Sequence, residues 1–180
     1  MSSARHVILI GMKSCGKTTA GRVVSNRLQL PFVDLDADIE RIHTQRTGQQ
    51  LRFRDIFRIH GREYFNALET AALCDLPDRP EGFMLAAGGS TPLNHPTLLP
   101  TLGTVIFLDI DEKILLPRII AGGIPPFFPY PDDPERSLHT LLIARRPVYR
   151  SVANAIIPIQ METPDVIADR VIEVLESKRM

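Results

Sequence analysis

A glycine-rich segment near the N-terminus combines the residue types and the spacing that bind phosphate groups. Residues 11–18 read G-M-K-S-C-G-K-T and match the pattern G-x-x-x-x-G-K-[ST]. The glycines of such a segment allow a tight turn whose backbone N–H groups converge on phosphate oxygens. Lys17 is expected to reach the β- and γ-phosphates, and Thr18 to place its hydroxyl on a magnesium ion. The segment therefore predicts a site for a nucleoside triphosphate, expected to be ATP, with Mg2+.

This segment, called the phosphate loop below, also lies in the context that its chemistry needs. It follows an apolar run typical of a strand and opens a helical pattern, so that the positive end of the helix would face the anion. The alternative is a glycine-rich turn with a surface lysine. The residues expected to contact the nucleotide here are Gly11, Met12, Lys13, Ser14, Cys15, Gly16, Lys17, Thr18 and Thr19.

Two aspartates, Asp34 and Asp36, follow the second apolar run of the sequence. In an open α/β sheet, ligands bind beyond the carboxyl ends of the strands, and an extended chain would place carboxylates two residues apart on the same side. One carboxylate can then serve the magnesium ion, while the other orients an acceptor hydroxyl or takes its proton. The alternative is that Asp36 only caps a helix that begins near Ala37.

Two further residue pairs lie later in the chain. Gly88 and Gly89 follow the third apolar run, where glycines let a ligand approach the backbone closely; taken alone, they are explained better by an ordinary turn. Arg145 and Arg146 precede Pro147. Arginine suits a bidentate grip on a carboxylate or phosphate, although most arginine pairs are solvated surface.

The spacing of apolar residues predicts the elements that must position these groups. Short apolar runs predict strands at 7–10, 32–34, 83–86, 105–108 and 156–157. Helical spacing predicts helices over 17–30, 37–76 with interruptions at 47–48 and 61, 112–120, a stretch through 141–149, and one around 167–175. Strands that alternate with helices predict an α/β fold of three layers, with a parallel sheet covered on both faces. The long loop at 122–134 is expected to be functional or mobile.

Composition limits the classes of partner. The chain has 180 residues, which suits one domain over residues 1–180, and its 21 basic and 21 acidic residues give a net charge of zero. Balanced charge gives no electrostatic reason to expect nucleic acid or an anionic membrane. No apolar run is long enough for a membrane span or a signal-peptide core, and two cysteines make no disulfide framework, which favours a reducing cytoplasm. We expect a monomer that acts on a small-molecule substrate.

The cysteines and histidines carry smaller expectations. Cys15 either fills space in the phosphate loop or is an oxidation-sensitive thiol whose modification would obstruct the nucleotide. Cys74 lies in an apolar helical run and is expected in the core. The five histidines show no metal-ligand spacing and are expected on the surface.

These features, in this order and spacing, resemble the shikimate kinase family over nearly the whole chain. The matching segments are the phosphate loop, the P-F-V-D-L-D run at 31–36, Ile56-Phe57 with Gly61 and Phe65, Ala87-Gly88-Gly89, a lid at about 120–136, and the R-R-P-V-Y run at 145–149. The resemblance implies a P-loop kinase of nucleoside monophosphate kinase type, with a five-stranded parallel sheet and a lid. It also implies transfer of the ATP γ-phosphate to a hydroxyl of shikimate, within aromatic amino acid biosynthesis.

The resemblance also assigns roles by position. Lys17 and Asp36 would be the catalytic residues, with Asp36 at the acceptor hydroxyl. Thr18 and Asp34 would organise the magnesium ion. Arg118, late in the helix before the lid, is the residue expected to stack on the adenine. The substrate-binding residues expected, including the candidate replacements discussed next, are Asp36, Arg62, Asn66, Gly88, Gly89 and Arg145.

Three positions depart from the family pattern. Asn66 stands where the family has an arginine that grips the substrate carboxylate, and Ala87 replaces the first glycine of its turn. The family's lid also carries an arginine, whereas no Lys or Arg occurs here from 119 to 135. Arg62, one helical turn before Asn66, and Arg136, at the far end of the lid, are candidate replacements.

These departures leave the acceptor open. Shikimate could still bind with repositioned lid contacts, or the acceptor could be another small polyol or sugar acid, such as gluconate. A third alternative is a nucleotide-binding module without transferase activity, against which the retention of Asp36 argues. Aromatic residues of the lid, Phe127, Phe128 and Tyr130, would either exclude water from phosphoryl transfer or serve packing and partner contacts.

Overall fold

The structure, a computed structural model, describes residues 5–77, 81–125 and 127–177. Its strands are β1 (Arg5–Ile10), β2 (Phe32–Asp34), β3 (Gly82–Ala86), β4 (Thr104–Ile110) and β5 (Ala155–Ile159). Its helices are α1 (Lys17–Leu28), α2 (Leu35–Thr47), α3 (Phe53–Cys74), α4 (Thr91–Asn94), α5 (Leu99–Leu102), α6 (Glu112–Ala121), α7 (Pro134–Val152) and α8 (Pro164–Ser177).

The five strands form one parallel sheet in the order β2-β3-β1-β4-β5. β1 lies at its centre, where Ile8 is opposite Leu85 on one side and Val105 on the other. All three of these side chains are fully buried, as expected for a parallel sheet covered by helices on both faces. The predicted α/β fold with a five-stranded parallel sheet is confirmed, whereas the assignment of residues 1–180 to a single domain stays a prediction.

The carboxyl ends of three neighbouring strands carry the segments singled out from the sequence. The phosphate loop follows β1, Asp34 ends β2, and the Gly88-Gly89 pair follows β3 by one residue. Around the sheet, the helices pack in pairs, α1 with α8, α2 with α3, and α6 with α7. No helix within the described ranges is long and apolar enough to cross a membrane.

Several helix boundaries differ from the prediction. α1 ends at Leu28 because Gln29 adopts the left-handed conformation with φ 53°. α2 begins at Leu35, before the predicted start at Ala37. The predicted interruption at Gly61 is confirmed as a break within α3, where φ is 82° and ψ is 178°. The helices α4 and α5 were not predicted because four residues are too few to show a period.

Two predictions about burial are wrong. Cys74 is exposed rather than buried, because Leu73 takes the core-facing position at the end of α3 and the next residue points outward. His43 is fully buried instead of lying on the surface. Its Nδ1 lies 3.0 Å from the Tyr64 hydroxyl and its Nε2 lies 3.3 Å from the Thr47 hydroxyl, so both ring nitrogens have partners. Burial lowers the pKa of His43, with His60 adding to the effect.

Candidate active site

The phosphate loop leaves the carboxyl end of β1 and turns back to begin α1. Gly11 has φ 145°, and a Cβ there would lie 2.8 Å from the carbonyl oxygen of Leu108, so the position requires glycine. Ser14 and Gly16 have φ 65° and 101°, and Gly16 is the N-cap of α1 without a side-chain cap. Because the first turn of a helix has N–H groups without intrahelical acceptors, this arrangement leaves donors for an anion.

Lys17 opens α1 with its side chain buried beneath the loop. Its ammonium donates hydrogen bonds to the carbonyl oxygens of Gly11 at 2.9 Å and Met12 at 2.8 Å. The Sγ of Cys15 lies 3.8 Å from the same nitrogen, and Cys15 is completely buried. The burial favours the interpretation of Cys15 as a residue that fills space in a tight loop. Lys17 is thus held where phosphate oxygens could replace its carbonyl partners.

Thr18 and Asp34 are the residues predicted to serve a magnesium ion. Thr18 is exposed in the first turn of α1, as is Thr19, and Asp34 is half-buried at the end of β2. A hydroxyl and a carboxylate are oxygen donors of the kind that Mg2+ prefers, so the donor chemistry of the two residues fits the ion.

The Asp34-Leu35-Asp36 segment is not extended, which corrects the geometry expected from the sequence. Because α2 begins at Leu35, Asp36 lies in the first helical turn. Asp34 is the cap of this helix, since its Oδ1 accepts a hydrogen bond from the backbone N–H of Asp36 at 3.2 Å. The alternative in which Asp36 is the cap is therefore also wrong. The Asp36 side chain accepts no hydrogen bond within the part of the chain that the structure describes.

The carboxyl group of Asp36 lies in an electrostatically unfavourable environment. Burial, together with the nearby carboxylates of Asp34 and Glu69, raises its pKa from 3.8 to about 6, although Lys17 opposes the rise. Such a perturbed carboxyl group beside a phosphate loop is typical of a functional residue. A pKa near the working pH also suits a group that takes a proton from an acceptor hydroxyl.

Gly88 brings the backbone close to this carboxylate. A Cβ at Gly88 would lie 4.0 Å from Oδ1 of Asp36 and 3.0 Å from the Thr91 hydroxyl. The absence of a side chain therefore leaves room for a ligand beside Asp36.

Gly89 lies where the phosphate loop meets α7. A Cβ there would lie 3.5 Å from Nη1 of Arg145 and 3.7 Å from both the carbonyl oxygen of Gly11 and the amide nitrogen of Lys13. The Tyr149 hydroxyl donates to the carbonyl oxygen of Gly89 at 2.6 Å. Burial raises the pKa of Tyr149 to about 12, so this hydroxyl remains a donor. The predicted site residues Gly88, Gly89 and Arg145 are thus brought together with Asp36 and the phosphate loop.

The two adjacent arginines of α7 have different environments. Arg146 donates to Oδ1 of Asp109 and to the carbonyl oxygen of Ile110, both at 2.9 Å, and so fixes α7 against β4. Arg145 is half-buried, and no carboxylate pairs with it in the described ranges. Because a guanidinium without a counterion attracts carboxylates and phosphates, Arg145 is the arginine available to a ligand.

A buried glutamate that the sequence analysis did not single out holds the turn that contains Gly88 and Gly89. Glu69 accepts hydrogen bonds from the Thr91 hydroxyl at 2.6 Å and from Nδ2 of Asn94 at 3.0 Å, and it lies 3.0 Å from Nε2 of His95. Burial alone would raise the pKa of Glu69, but these three partners outweigh burial and hold the pKa below its ordinary value. The sequence signal for this residue was an acidic position on the apolar face of a helix.

Comparison with known proteins identifies the family. A family model described as shikimate kinase matches residues 13–176. The chain belongs to the shikimate kinase family. The shikimate kinase of Halorhodospira halophila is 35% identical over 96% of this chain and 94% of the relative. That of Colwellia psychrerythraea is 31% identical over 98% of this chain and 99% of the relative. The predicted enzyme class, a phosphotransferase, is therefore confirmed for this member of the shikimate kinase family.

A solved structure agrees with this assignment over the whole fold. Shikimate kinase from Acinetobacter baumannii in complex with shikimate superposes with a TM-score of 0.84 at 27% identity, covering 99% of this chain and 96% of that chain. The predicted P-loop kinase fold is thereby confirmed.

Asn66 gives this family member a neutral side chain where the pattern has an arginine. Its Oδ1 accepts a hydrogen bond from Nδ2 of Asn94 at 3.2 Å, so its amide is joined to the network around Glu69. Arg62, one turn before it, is exposed and makes no hydrogen bond or ion pair among the described residues. A substrate-binding role for Asn66 or Arg62 stays a prediction.

The predicted lid, residues 120–136, is attached to the body of the molecule at several points; Pro126 lies outside the described residues. Phe128 is buried in the core, and the Ser137 hydroxyl bonds both the N–H and the carbonyl oxygen of Tyr130. The guanidinium of Arg136 lies 4.0 Å above the Tyr130 ring, so its proposed contact with substrate stays a prediction. Phe127 is 44% exposed, and its ring centre lies 5.3 Å from Cζ of Arg145.

Lys13 and Arg118 are cations that the sequence predicts to contact the nucleotide. Burial lowers the pKa of Lys13, and the nearby Arg54, which the sequence analysis did not select, lowers it further. Arg118 is half-buried near the end of α6, and its charge helps to lower the pKa of Glu162, for which hydrogen bonds from the backbone at Gln160 are the main cause. Arg118 therefore lies near the segment between β5 and α8, and its contact with adenine stays a prediction.

Proposed function

We propose that this protein transfers the γ-phosphate of ATP to a hydroxyl of shikimate. One observation carries the proposal: the Asp36 carboxylate, the phosphate loop and the guanidinium of Arg145, which has no carboxylate partner among the described residues, converge on the Gly88-Gly89 turn. This convergence supplies a group for the acceptor hydroxyl, a cradle for the donor phosphates and a cation for an acceptor carboxylate. Membership in the shikimate kinase family supports each of these three assignments.

On the donor side, Lys17 exchanges its bonds with Gly11 and Met12 for bonds with phosphate oxygens. Thr18 and Asp34 would hold magnesium, which neutralises phosphate charge when it is bound. The backbone N–H groups of the loop and the start of α1 orient the triphosphate. Positioning and charge stabilisation then supply most of the catalysis, as in other phosphoryl transfers.

On the acceptor side, Asp36 orients the hydroxyl and accepts its proton as the oxygen attacks the γ-phosphorus. Since the Asp36 carboxylate has no hydrogen-bond donor among the described residues, the acceptor hydroxyl would be its partner. Arg145 binds the acceptor carboxylate, and Gly88 and Gly89 leave the space between these two groups.

The test is ADP release from magnesium-ATP by the purified protein, with shikimate, gluconate and neutral polyols as separate acceptors. We expect turnover that requires shikimate and magnesium, and a loss of at least about a hundred-fold in kcat in the Asp36→Asn variant, because a positioned base is worth that much or more. Shikimate-independent hydrolysis alone, or turnover only with another acceptor, would contradict the proposal.

A sugar acid such as gluconate is the second candidate acceptor. The observation that favours it is Asn66, whose amide is neutral and engaged with Asn94 where the family pattern places a cation. Arg145 alone would then bind the carboxylate of the sugar acid. Preference for gluconate over shikimate in the same assay would support this candidate.

We also propose that the protein works in the cytoplasm as a monomer. Both cysteines are unpaired, one buried and one exposed, which suits a reducing compartment. Light scattering after size-exclusion chromatography should give a mass near 20.1 kDa, the mass of one chain; a mass near twice that value would contradict the monomer.

A further inference from the structure

The guanidinium of Arg145, which the proposed function assigns to an acceptor carboxylate, lies among uncharged groups that include the ring of Phe127. Around its guanidinium lie the Gly89 backbone, the Tyr149 hydroxyl, the Sδ of Met12 at 4.0 Å and the Phe127 ring at 5.3 Å. None of these carries a charge, and the described residues give Arg145 no carboxylate. The face of an aromatic ring attracts a cation through its quadrupole, so Phe127 supplies electrostatic attraction without occupying the arginine's hydrogen-bond donors.

The lid around Phe127 is built to keep the ring in place. Phe128 is only 3% exposed and packs edge-on against Phe127, with ring centres 5.8 Å apart. Three residues after Phe127, the bonds between the Tyr130 backbone and the Ser137 hydroxyl tie the lid to the start of α7. Phe127 is therefore followed by two anchored positions, and its ring centre lies 5.3 Å from Cζ of Arg145.

We propose that Phe127 is a positioning residue that determines specificity through Arg145. Its ring holds the guanidinium with its donors directed toward the acceptor pocket, and so favours small hydroxylated acceptors that bear a carboxylate. The lid acts on the acceptor through a cation that belongs to α7, since residues 119–135 contain no Lys or Arg of their own. This inference rests on the proposed function, because Arg145 is taken to bind the acceptor.

The test compares Phe127→Leu, which keeps an apolar side chain but removes the ring face, with Phe127→Tyr and Phe127→Trp, which keep it. We expect Phe127→Leu to raise the acceptor KM about five-fold, with kcat and the KM for ATP changed less than about two-fold. The Phe127→Tyr and Phe127→Trp variants should keep the acceptor KM of the wild type. Phe32→Leu, which removes a ring that contacts Arg22 at the start of β2, is the matched control and should leave the acceptor KM unchanged.

A double-mutant cycle assigns the effect to Arg145. In an Arg145→Lys background, Phe127→Leu should change the acceptor KM less than about two-fold, because a lysine does not stack on a ring as a guanidinium does. Equal KM values for Phe127→Leu and wild type, or an equal rise in both backgrounds, would overturn the inference. A fall in kcat shared by the Leu, Tyr and Trp variants would also overturn it, because the fit of the side chain in the lid, and not its ring face, would then determine the effect.

Failure of the proposed function is seen separately. It would appear in the wild type, as absence of turnover with shikimate. Acceptor binding can be followed without turnover by tryptophan fluorescence. The chain contains no tryptophan, so Phe127→Trp introduces a single one, beside Arg145. We expect its emission to change on titration with a carboxylate-bearing acceptor in the presence of magnesium-ADP, and not with a neutral polyol. The same response to both ligands would overturn the inference.

Discussion

At the scale of single residues, Asp36 is the clearest compromise between stability and function. Its carboxylate is partly buried beside Asp34 and Glu69, and no hydrogen bond from the described residues stabilises its charge. Burying a charge without a partner is unfavourable, and such groups are retained where a ligand completes their environment. Both consequences of this environment can be measured, one in folding and one in turnover.

Replacing Asp36 with asparagine should stabilise the free protein above pH 6. Because the folded-state pKa is raised from 3.8 to about 6, the ionised carboxylate lowers the free energy of unfolding above pH 6, and this penalty disappears as the pH falls toward 4. The Asp36→Asn variant should therefore gain at most about 3 kcal/mol at pH 8, and little at pH 4. Urea unfolding at both pH values measures the gain. Asp132→Asn, at an exposed lid carboxylate, is the control, and an equal gain there would refute the explanation.

The same ionisation should appear in the pH dependence of turnover. Since Asp36 must be ionised to accept a proton, kcat/KM for the acceptor should fall about ten-fold for each pH unit below about 6. Binding of the acceptor and magnesium-ATP changes the environment of Asp36, so kcat need not follow the same curve. The measurement is an initial-rate profile from pH 5 to 8.5 at saturating ATP. A flat profile of kcat/KM through pH 5 would exclude Asp36 as the proton acceptor.

At the scale of elements, the sequence predicted those parts of the site that depend on neighbouring residues in the chain. The phosphate loop follows from its glycines and from the strand and helix around it, and β1 to β5 follow from apolar runs. The geometry at Asp36 was mispredicted because the sequence does not show where β2 ends and α2 begins. Once Asp34 caps α2, Asp36 is moved from an extended chain into a helical turn.

Contacts between distant elements were not accessible from sequence spacing. Glu69 lies in α3 and its partners Thr91, Asn94 and His95 follow β3 more than twenty residues later. The burial of His43 likewise depends on Tyr64, which lies on the next helix. In each case a polar residue can be buried because a residue distant in sequence hydrogen-bonds to it. The spacing of residues along the chain does not reveal which residue that is.

The contacts of Glu69 predict that α4 and the Gly88-Gly89 turn depend on its carboxylate. Glu69→Ala should lower the free energy of unfolding by about 3 kcal/mol, because Thr91, Asn94 and His95 lose a buried partner. It should also raise the acceptor KM, since the turn beside Asp36 loses its support. Glu69→Gln, which keeps one acceptor oxygen, should cost about 1 kcal/mol. Urea unfolding and initial rates measure both effects.

An exposed glutamate on the same helix provides the control for Glu69. Glu63→Ala, at a position without a hydrogen bond or ion pair in the described chain, should change the free energy of unfolding by less than about 0.5 kcal/mol. If Glu69→Ala and Glu63→Ala had similar effects on unfolding, the network would not hold α4 in place. If Glu69→Ala lowered stability without changing the acceptor KM, its influence would not extend to the turn.

At the scale of the whole molecule, residues far apart in sequence meet at one edge of the sheet. The N-terminal part supplies the phosphate loop and Asp36, while Arg145 and Tyr149 come from α7 and contact the Gly89 region. The C-terminal helix α8 returns to α1, where Asp165 and Asp169 bind Arg27. Since the chain has no net charge, attraction of anionic ligands depends on this local set of cations rather than on the overall field.

Because the nucleotide site exists only when these distant segments are assembled, ligand binding should stabilise the whole fold. Magnesium-ADP at about one hundred times its Kd should add about 2.7 kcal/mol to the free energy of unfolding. For a chain of this size, that corresponds to a rise in Tm of about 5–10 °C. Lys17→Met should abolish most of the rise, because the ammonium that now binds Gly11 and Met12 would be missing from the phosphates. Chelation of magnesium with EDTA should reduce it in the wild type.

The ligand-induced shift, rather than the absolute Tm, is the quantity to compare, because Lys17→Met also removes two hydrogen bonds from the free protein. Lys113→Met, at an exposed position on α6, is the matched control and should keep the full shift with magnesium-ADP. Differential scanning fluorimetry over a range of nucleotide concentrations gives both values. A shift in Lys17→Met equal to that of the wild type would place the nucleotide elsewhere, since a ligand that does not contact Lys17 stabilises both proteins equally.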